Sequence, residues 1–221
     1  MDPKRQTVSH SPATRLFHLH YNTPDVDGLE AALADVGLPL HRRFGWDDGE
    51  FTSLGPDERR PTEWRLRLET LRRGAVDLTL APGRRFRFDH LGVVTSEFDA
   101  VVDRVRRAES EGWSVRDSDG RRPFVITPWG FRVEVHRDDG EVATELVAWE
   151  TARLLDVRLV VPEEAVEAIR TGLTRVLGPV SELTVASGDV DRPTVPSFTL
   201  GGDVLSTPTV VDVASLAATS D

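Results

Sequence analysis

Slid along itself, the chain comes into register with a later part of itself. Phe17-His-Leu-His-Tyr-Asn-Thr-Pro falls on Asp89-His-Leu-Gly-Val-Val-Thr-Ser, which sets His18 on His90 at a separation of 72 residues. The last strand-like stretches of the two halves match as well, with Asp77 falling on Glu134. An internal repeat of this size constrains architecture strongly, because each copy carries an apolar face that it cannot bury alone. The repeat runs from Arg15 to roughly Glu150.

The second copy is the clearer of the two. Phe88 to Thr95 is rich in β-branched residues and is stopped by Ser96-Glu97, which predicts a strand. From Phe98 to Ala108 the apolar residues Phe98, Val101, Val102, Val105 and Ala108 recur at helical spacing, with charged residues on the other face and Glu111-Gly112 as the stop. A short strand (113–116), a turn at Asp117-Ser-Asp-Gly120, a strand (123–127), a Pro128-Trp129-Gly130 turn and a strand from Phe131 to Arg137 complete a β-α-β-β-β unit. The first copy has the same order. It comprises a strand (15–22), a helix start at Thr23-Pro-Asp25, a helix (26–36) closed by Gly37, a short strand (40–44), a charged loop (46–62), and alternating strands (64–71 and 75–80) joined at Arg72-Arg-Gly74.

A weaker third copy follows, with strand-like stretches at 155–161, 181–186, 197–200 and 209–213 and a helix from Pro162 to Leu177 closed by Gly178. Its first strand holds Asp156 where the second copy has His90, its last strand offers Asp212, and no histidine occurs after His136, so this copy is expected to be structural. It would either pair with its counterpart in a second chain, giving a homodimer, or cover part of the first pair. The fold class expected is therefore α+β: a polar tail (1–14), tandem βαβββ modules (15–85 and 86–150) and a third, degenerate module (151–221).

Composition excludes several functions. With no cysteine, disulfides, thiolate zinc sites and cysteine nucleophiles are ruled out. Acids outnumber bases 37 to 27, for a net charge of −10, which argues against nucleic acid as a partner. The opening Met-Asp-Pro-Lys-Arg is too polar for a signal peptide and no apolar run approaches the ~18 residues of a membrane span, so the expectation is a soluble, cytoplasmic protein. Lys4 is the only lysine; an acidic, arginine-for-lysine surface suits a halophile-like, salty cytoplasm as well as it suits a GC-rich genome. No phosphate-cradling glycine loop, serine-nucleophile elbow or dinucleotide fingerprint is present.

Strand alternation places the polar residues. Arg132, Glu134 and His136 share one face of the last strand, while Phe131, Val133 and Val135 share the other. His18 and His20 share a face of the first strand and Tyr21 points away, as packing. A strand face offering a carboxylate and an imidazole is either a solvated surface or a pocket lining. Several residues take the plain reading: His10 and His41 as solvent-exposed, Arg84 to Arg87 as a solvated linker, and Trp46, Trp64, Trp113, Trp129 and Trp149 as no stacking stripe. Trp129 and Phe131 line either a cup mouth or the core, and Arg132 either orients an anion or pairs with Glu134.

Asp89-His-Leu-Gly-Val-Val, a helix ending in glycine and Thr127-Pro-Trp-Gly-Phe-Arg-Val-Glu-Val-His together resemble a module of the vicinal oxygen chelate superfamily, which includes glyoxalase I, extradiol dioxygenases and antibiotic-resistance proteins. The resemblance implies that two modules close as half-barrels into a cup with metal ligands on their first and last strands. His18, His90 and Glu134 are the matching positions, with Asp77 a fourth where that family more often carries the longer Glu. Two histidines and one carboxylate suit Fe(II) and are compatible with Mn, Ni or Zn, and four ligands look more like the glyoxalase-type isomerases. His20 and His136 would serve as general acid and base or support the ligands. The function implied is metal-dependent chemistry on a small molecule with vicinal oxygens, by extradiol ring cleavage or an isomerase or lyase step. The alternatives are a metal-free small-molecule binding or resistance-type protein, and a structural or assembly protein.

Overall fold

The computed structural model describes residues 13–118, 122–146, 151–203, 205 and 207–219. Most of the expected tail, with His10, part of the 117–120 turn and Trp149 lie outside the described residues. Among the described residues the chain forms two sheets, one of nine strands and one of four.

The first unit comprises β1 (Thr14–Thr23), α1 (Val26–Asp35), β2 (Leu40–Asp47), β3 (Glu50–Leu54), β4 (Arg65–Arg73) and β5 (Val76–Pro82). The second comprises β6 (Arg87–Thr95), α2 (Phe98–Arg107), β7 (Ser114–Ser118), β8 (Arg122–Ile126) and β9 (Arg132–Arg137), followed by the one-turn helix α3 (Glu141–Glu145). In each unit the first strand runs parallel to the last, β1 with β5 and β6 with β9. The other edge of each first strand is left open, and there β1 and β6 pair antiparallel, so the sheet order is β3-β2-β4-β5-β1-β6-β9-β8-β7.

Strand β3 is an addition to the expected order, since the charged stretch 46–62 reads as a loop. Asp48 and Gly49 both take positive φ, 48° and 84°, which makes a two-residue hairpin turn between β2 and β3. Asp-Gly is the pair that this turn favours, and its charged flanks conceal it from a hydrophobicity pattern.

The third segment has the expected elements but a different wiring. It comprises β10 (Arg153–Val161), α4 (Val166–Leu177), β11 (Leu183–Ser187), β12 (Thr194–Gly201), β13 (Thr209–Asp212) and α5 (Val213–Thr219). Strand β10 lies between β11, to which it is parallel, and β12, so both its edges are taken. It therefore cannot make the edge-to-edge joint that unites β1 and β6, and it buries a face instead. Asp156 bonds Thr184 and Asp212 caps Ser215 at the start of α5, so both acids have structural partners.

One core joins all of this. Leu16, Leu19 and Tyr21 of β1, Leu91 and Val93 of β6, the inner residues of α1 and α2, and Val157, Leu159 and Val161 of β10 belong to a single buried cluster. The small sheet thus lies on the helix-bearing face of the large one. Polar struts cross the interface: the Thr14 hydroxyl donates to the Leu177 carbonyl at 2.8 Å, the Ala75 amide to the Ala152 carbonyl at 2.8 Å, and the Arg104 Nε to the Val176 carbonyl at 2.8 Å. Tyr21, fully buried, donates its hydroxyl to the Val195 carbonyl at 3.0 Å. Burial pushes its phenol far above the ordinary range, so it is a donor at any workable pH. The opposite face of the large sheet is left free of this core, apart from a small cluster in which Phe17, Ala75 and Val94 are covered by Val142, Ala143 and Leu146 of the α3 segment.

Removing the Tyr21 hydroxyl by Tyr21→Phe leaves the Val195 carbonyl without its donor. The expected loss of stability is about 1 kcal/mol, read as a lower urea midpoint with unchanged slope.

Candidate metal centre

The free face of the nine-stranded sheet carries a row of residues in direct register. Asp77 on β5 pairs with His18 on β1, His18 with Gly92 on β6, Gly92 with Glu134 on β9, and Glu134 with Phe124 on β8. The neighbouring rung reads Thr79, His20, His90, Arg132. His18 and Glu134 are therefore two strands apart, about 9–10 Å at the backbone, with a residue between them that has no side chain. A Cβ on Gly92 would meet the Cβ of His18 at 2.8 Å and its ring at 3.2 Å. In the repeat Gly92 corresponds to His20, so the copies differ at this position of the row.

Two bulges bring further residues to this face. Between Leu16 and His18 the β1–β6 register slips, so Phe17 and His18 both turn to the free side. Between His20 and Tyr21 it slips again, and Asp89 joins His90 there. Strict alternation would put Asp89 on the opposite face from His90; the bulge re-aims it.

The histidines are held in orientation. His18 donates from Nδ1 to Asp77 Oδ1 at 3.2 Å, and His90 donates from Nδ1 to Asp89 Oδ2 at 2.8 Å. Because a carboxylate only accepts, the proton is on Nδ1 in both and Nε2 is left to face inward. Each aspartate is gripped in turn by an arginine, Arg72 on Asp77 at 2.6 and 2.9 Å and Arg132 on Asp89. The Nε2 of His90 lies 3.4 Å from Glu134 Oε2, while Glu134 Oε1 accepts from His136 Nε2 at 3.1 Å. His18, His20 and His90 bring their ligand atoms within 4.8 Å of one another. The ring centroids of His20 and His90 are 4.7 Å apart, and those of His18 and His90 5.2 Å.

Charge follows from these contacts. Burial opposes ionisation of Asp77, Asp89 and Glu134, but hydrogen bonds from His18 and Arg72, from His90 and Arg132, and from His136 and His90 outweigh it and hold all three below the ordinary carboxylate range. Burial lowers His90, yet Asp89 and Glu134 reverse that and raise it. His20 is driven well down, by burial first and by His90 and His18 next.

Four of the six residues expected at the site are brought together: the ligand atoms of His18, His20 and His90 lie within 4.8 Å of one another, and Glu134 Oε2 lies 3.4 Å from His90 Nε2. Asp77 does not reach in as a free ligand: both its oxygens are engaged, one by His18 and one by Arg72. His136 contacts Glu134 Oε1 and lies with its ring edge-on to Phe17 at 5.5 Å. Arg132 pairs with Asp89 rather than Glu134 and lies 4.8 Å over the Phe124 ring. Phe131 belongs to the core and Trp129 packs against it and on Trp113, away from the cup. Phe86 of the linker stacks on Tyr21, so that linker is partly core, whereas His41 is exposed as expected. A second acidic group, formed by Asp27 and Glu30 of α1 with Glu69 of β4, is filled by Arg43 and Arg60. Arg72, Asp89, Phe17 and Gly92 were not legible as site residues, because their roles depend on register slips and neighbouring strands.

Neither a family model nor a curated protein matches the sequence. Solved structures do match the fold. A Mn(II)-bound glyoxalase from Novosphingobium aromaticivorans superposes with a TM-score of 0.56 at 17% identity, covering 93% of this chain and 69% of that one. A 2,2',3-trihydroxybiphenyl 1,2-dioxygenase from Sphingomonas wittichii strain RW1 gives 0.51 at 13% identity, covering 80% and 68%. An extradiol ring-cleaving dioxygenase from B. fuscum gives 0.50 at 17%, covering 83% and 57%. The chain thus has the glyoxalase and extradiol dioxygenase fold, that of the vicinal oxygen chelate proteins, and spans 57% to 69% of the length of these three. No helix among the described residues is long and apolar enough to cross a membrane.

Gly92→Ala places a methyl against His18. The expected cost is about 1–3 kcal/mol, with divalent-metal uptake reduced further than stability, measured by urea unfolding and by metal titration. The depressed carboxylates contribute stability that is complete above their ordinary values, near pH 4, and lost as pH falls through their folded values. The urea midpoint is therefore expected to drop as pH falls from about 5 toward 2, and to drop less in Asp77→Asn.

Proposed function

We propose that this chain, sharing the fold of the vicinal oxygen chelate proteins, is a divalent-metal-dependent enzyme acting on a small molecule with adjacent oxygens. The observation that carries this reading is the rung His18–Gly92–Glu134: two inward donors flank a bare floor, with the Nε2 of His90 at its edge. His18, His90 and Glu134 would hold the ion, which can be Fe, Mn, Ni or Zn. When bound, the ion supplies Lewis acidity to the paired substrate oxygens or a redox centre.

The chain's own residues prepare that site. Asp77 and Asp89 fix the histidine tautomers, Arg72 and Arg132 hold the aspartates, and His136 occupies Glu134 Oε1 so that Oε2 is the inward oxygen. The α3 segment covers Phe17 and Val94 and closes the cup at one end, and Glu145 ties it to Arg72 at 2.9 Å. Ligand entry is then from the His20 and Arg132 side, where Arg132 is the more exposed cation, at 38%. His20 has two roles open to it there: exchanging a proton with the ligand, or adding a nitrogen donor to the ion.

The chemistry divides into extradiol ring cleavage and an isomerase or lyase step. Stoichiometric metal in the purified protein, lost in His18→Ala, His90→Ala and Glu134→Ala, is the expected result. Wild-type protein that takes up no divalent metal would remove the enzyme reading and leave a metal-free binding protein of the same fold. Asp89→Asn, which keeps size but loses the charge holding His90, is expected to weaken metal binding about 10- to 100-fold, measured by competition with a chromophoric chelator.

A further inference from the structure

Resting on that metal-site reading, we infer that His20 is a fourth protein ligand, so that the ion keeps two open positions and the reaction is an isomerase or lyase step rather than ring cleavage with dioxygen.

The placement of His20 carries the inference. His20 pairs directly with His90 across the β1–β6 joint, and its ligand atom lies within 4.8 Å of those of both His18 and His90. The rings of His20 and His90 are tilted by 49° and those of His18 and His20 by 87°, so the three approach one space from different directions instead of stacking. Among the described residues no aspartate or glutamate accepts a hydrogen bond from His20, whereas His18, His90 and His136 each have a carboxylate partner. The other residue considered for a fourth donor, Asp77, is occupied by His18 and Arg72.

Coordination number then decides the chemistry. An ion of six positions held by three protein ligands keeps three, enough for a chelating pair of oxygens and a further reactant. With His18, His20, His90 and Glu134 as ligands it would keep two, which the paired oxygens of a substrate would fill, leaving no position for dioxygen. A nitrogen-rich set also moves preference toward Ni, Cu and Zn and away from Mn.

The test uses the 221-residue chain loaded with Cu(II) and examined by electron paramagnetic resonance, which counts coordinated imidazole nitrogens, alongside Ni(II) affinity by titration. His20→Ala is expected to lose one imidazole and to weaken Ni(II) binding on the order of tenfold or more, with the fold intact by circular dichroism. His20→Gln controls for packing and is expected to lose the same imidazole. Fe(II)-loaded wild type given catechol as the probe is expected to consume no oxygen. An unchanged nitrogen count and affinity in both His20 variants overturns the inference while His18→Ala still loses metal, and oxygen uptake with catechol overturns it too. Wild type that binds no metal at all overturns the underlying reading instead.

Discussion

The antiparallel joint between β1 and β6 is the contact on which the site depends. Each unit leaves one edge of its first strand unpaired, and an unpaired buried edge is costly because its amides and carbonyls have no partners. Pairing the two edges satisfies both and brings residues 18 and 90, distant in sequence, into neighbouring rungs. The same joint places Gly92 opposite His18, and the absence of a side chain there makes the floor between His18 and Glu134.

Around that floor the electrostatics are arranged in matching chains. Arg72–Asp77–His18 and Arg132–Asp89–His90 each run guanidinium, carboxylate, imidazole, and each ends with Nε2 directed inward. The two aspartates are not equivalent in the repeat, since Asp77 comes from the last strand of its unit and Asp89 from a bulge in the first strand of its own. The same local solution has thus been reached from two different positions. A buried carboxylate stays ionised only where partners offset its desolvation, and these arginines do so without occupying the floor.

The third segment supplies support rather than donors. Its small sheet covers the helix-bearing face, with Tyr21 as the polar strut from β1 to Val195, and so backs the strand that carries His18 and His20. Rigidity behind a site of this kind matters because a ligand displaced by about 1 Å is a ligand lost. The repeat-like order of its elements was readable, but its strand order was not, because a β-α-β-β-β sequence of elements is compatible with either end of the sheet order and only the choice of edge separates them.

The amino-acid sequence by itself determined the duplication, the strand and helix order of the second copy, the shared face of His18, His20, His90, Glu134 and His136, and the absence of cysteine chemistry. These are properties of period and composition, which survive without knowledge of long-range contacts. Only the tertiary structure decided that Asp89 turns inward, that Asp77 serves His18, that Asp48-Gly49 adds a strand and that β10 sits inside its sheet. The physical reason is long-range pairing in each case: a bulge re-aims Asp89, a salt bridge engages Asp77, a hairpin turn adds β3 and the choice of strand edge places β10, and local period sets none of these.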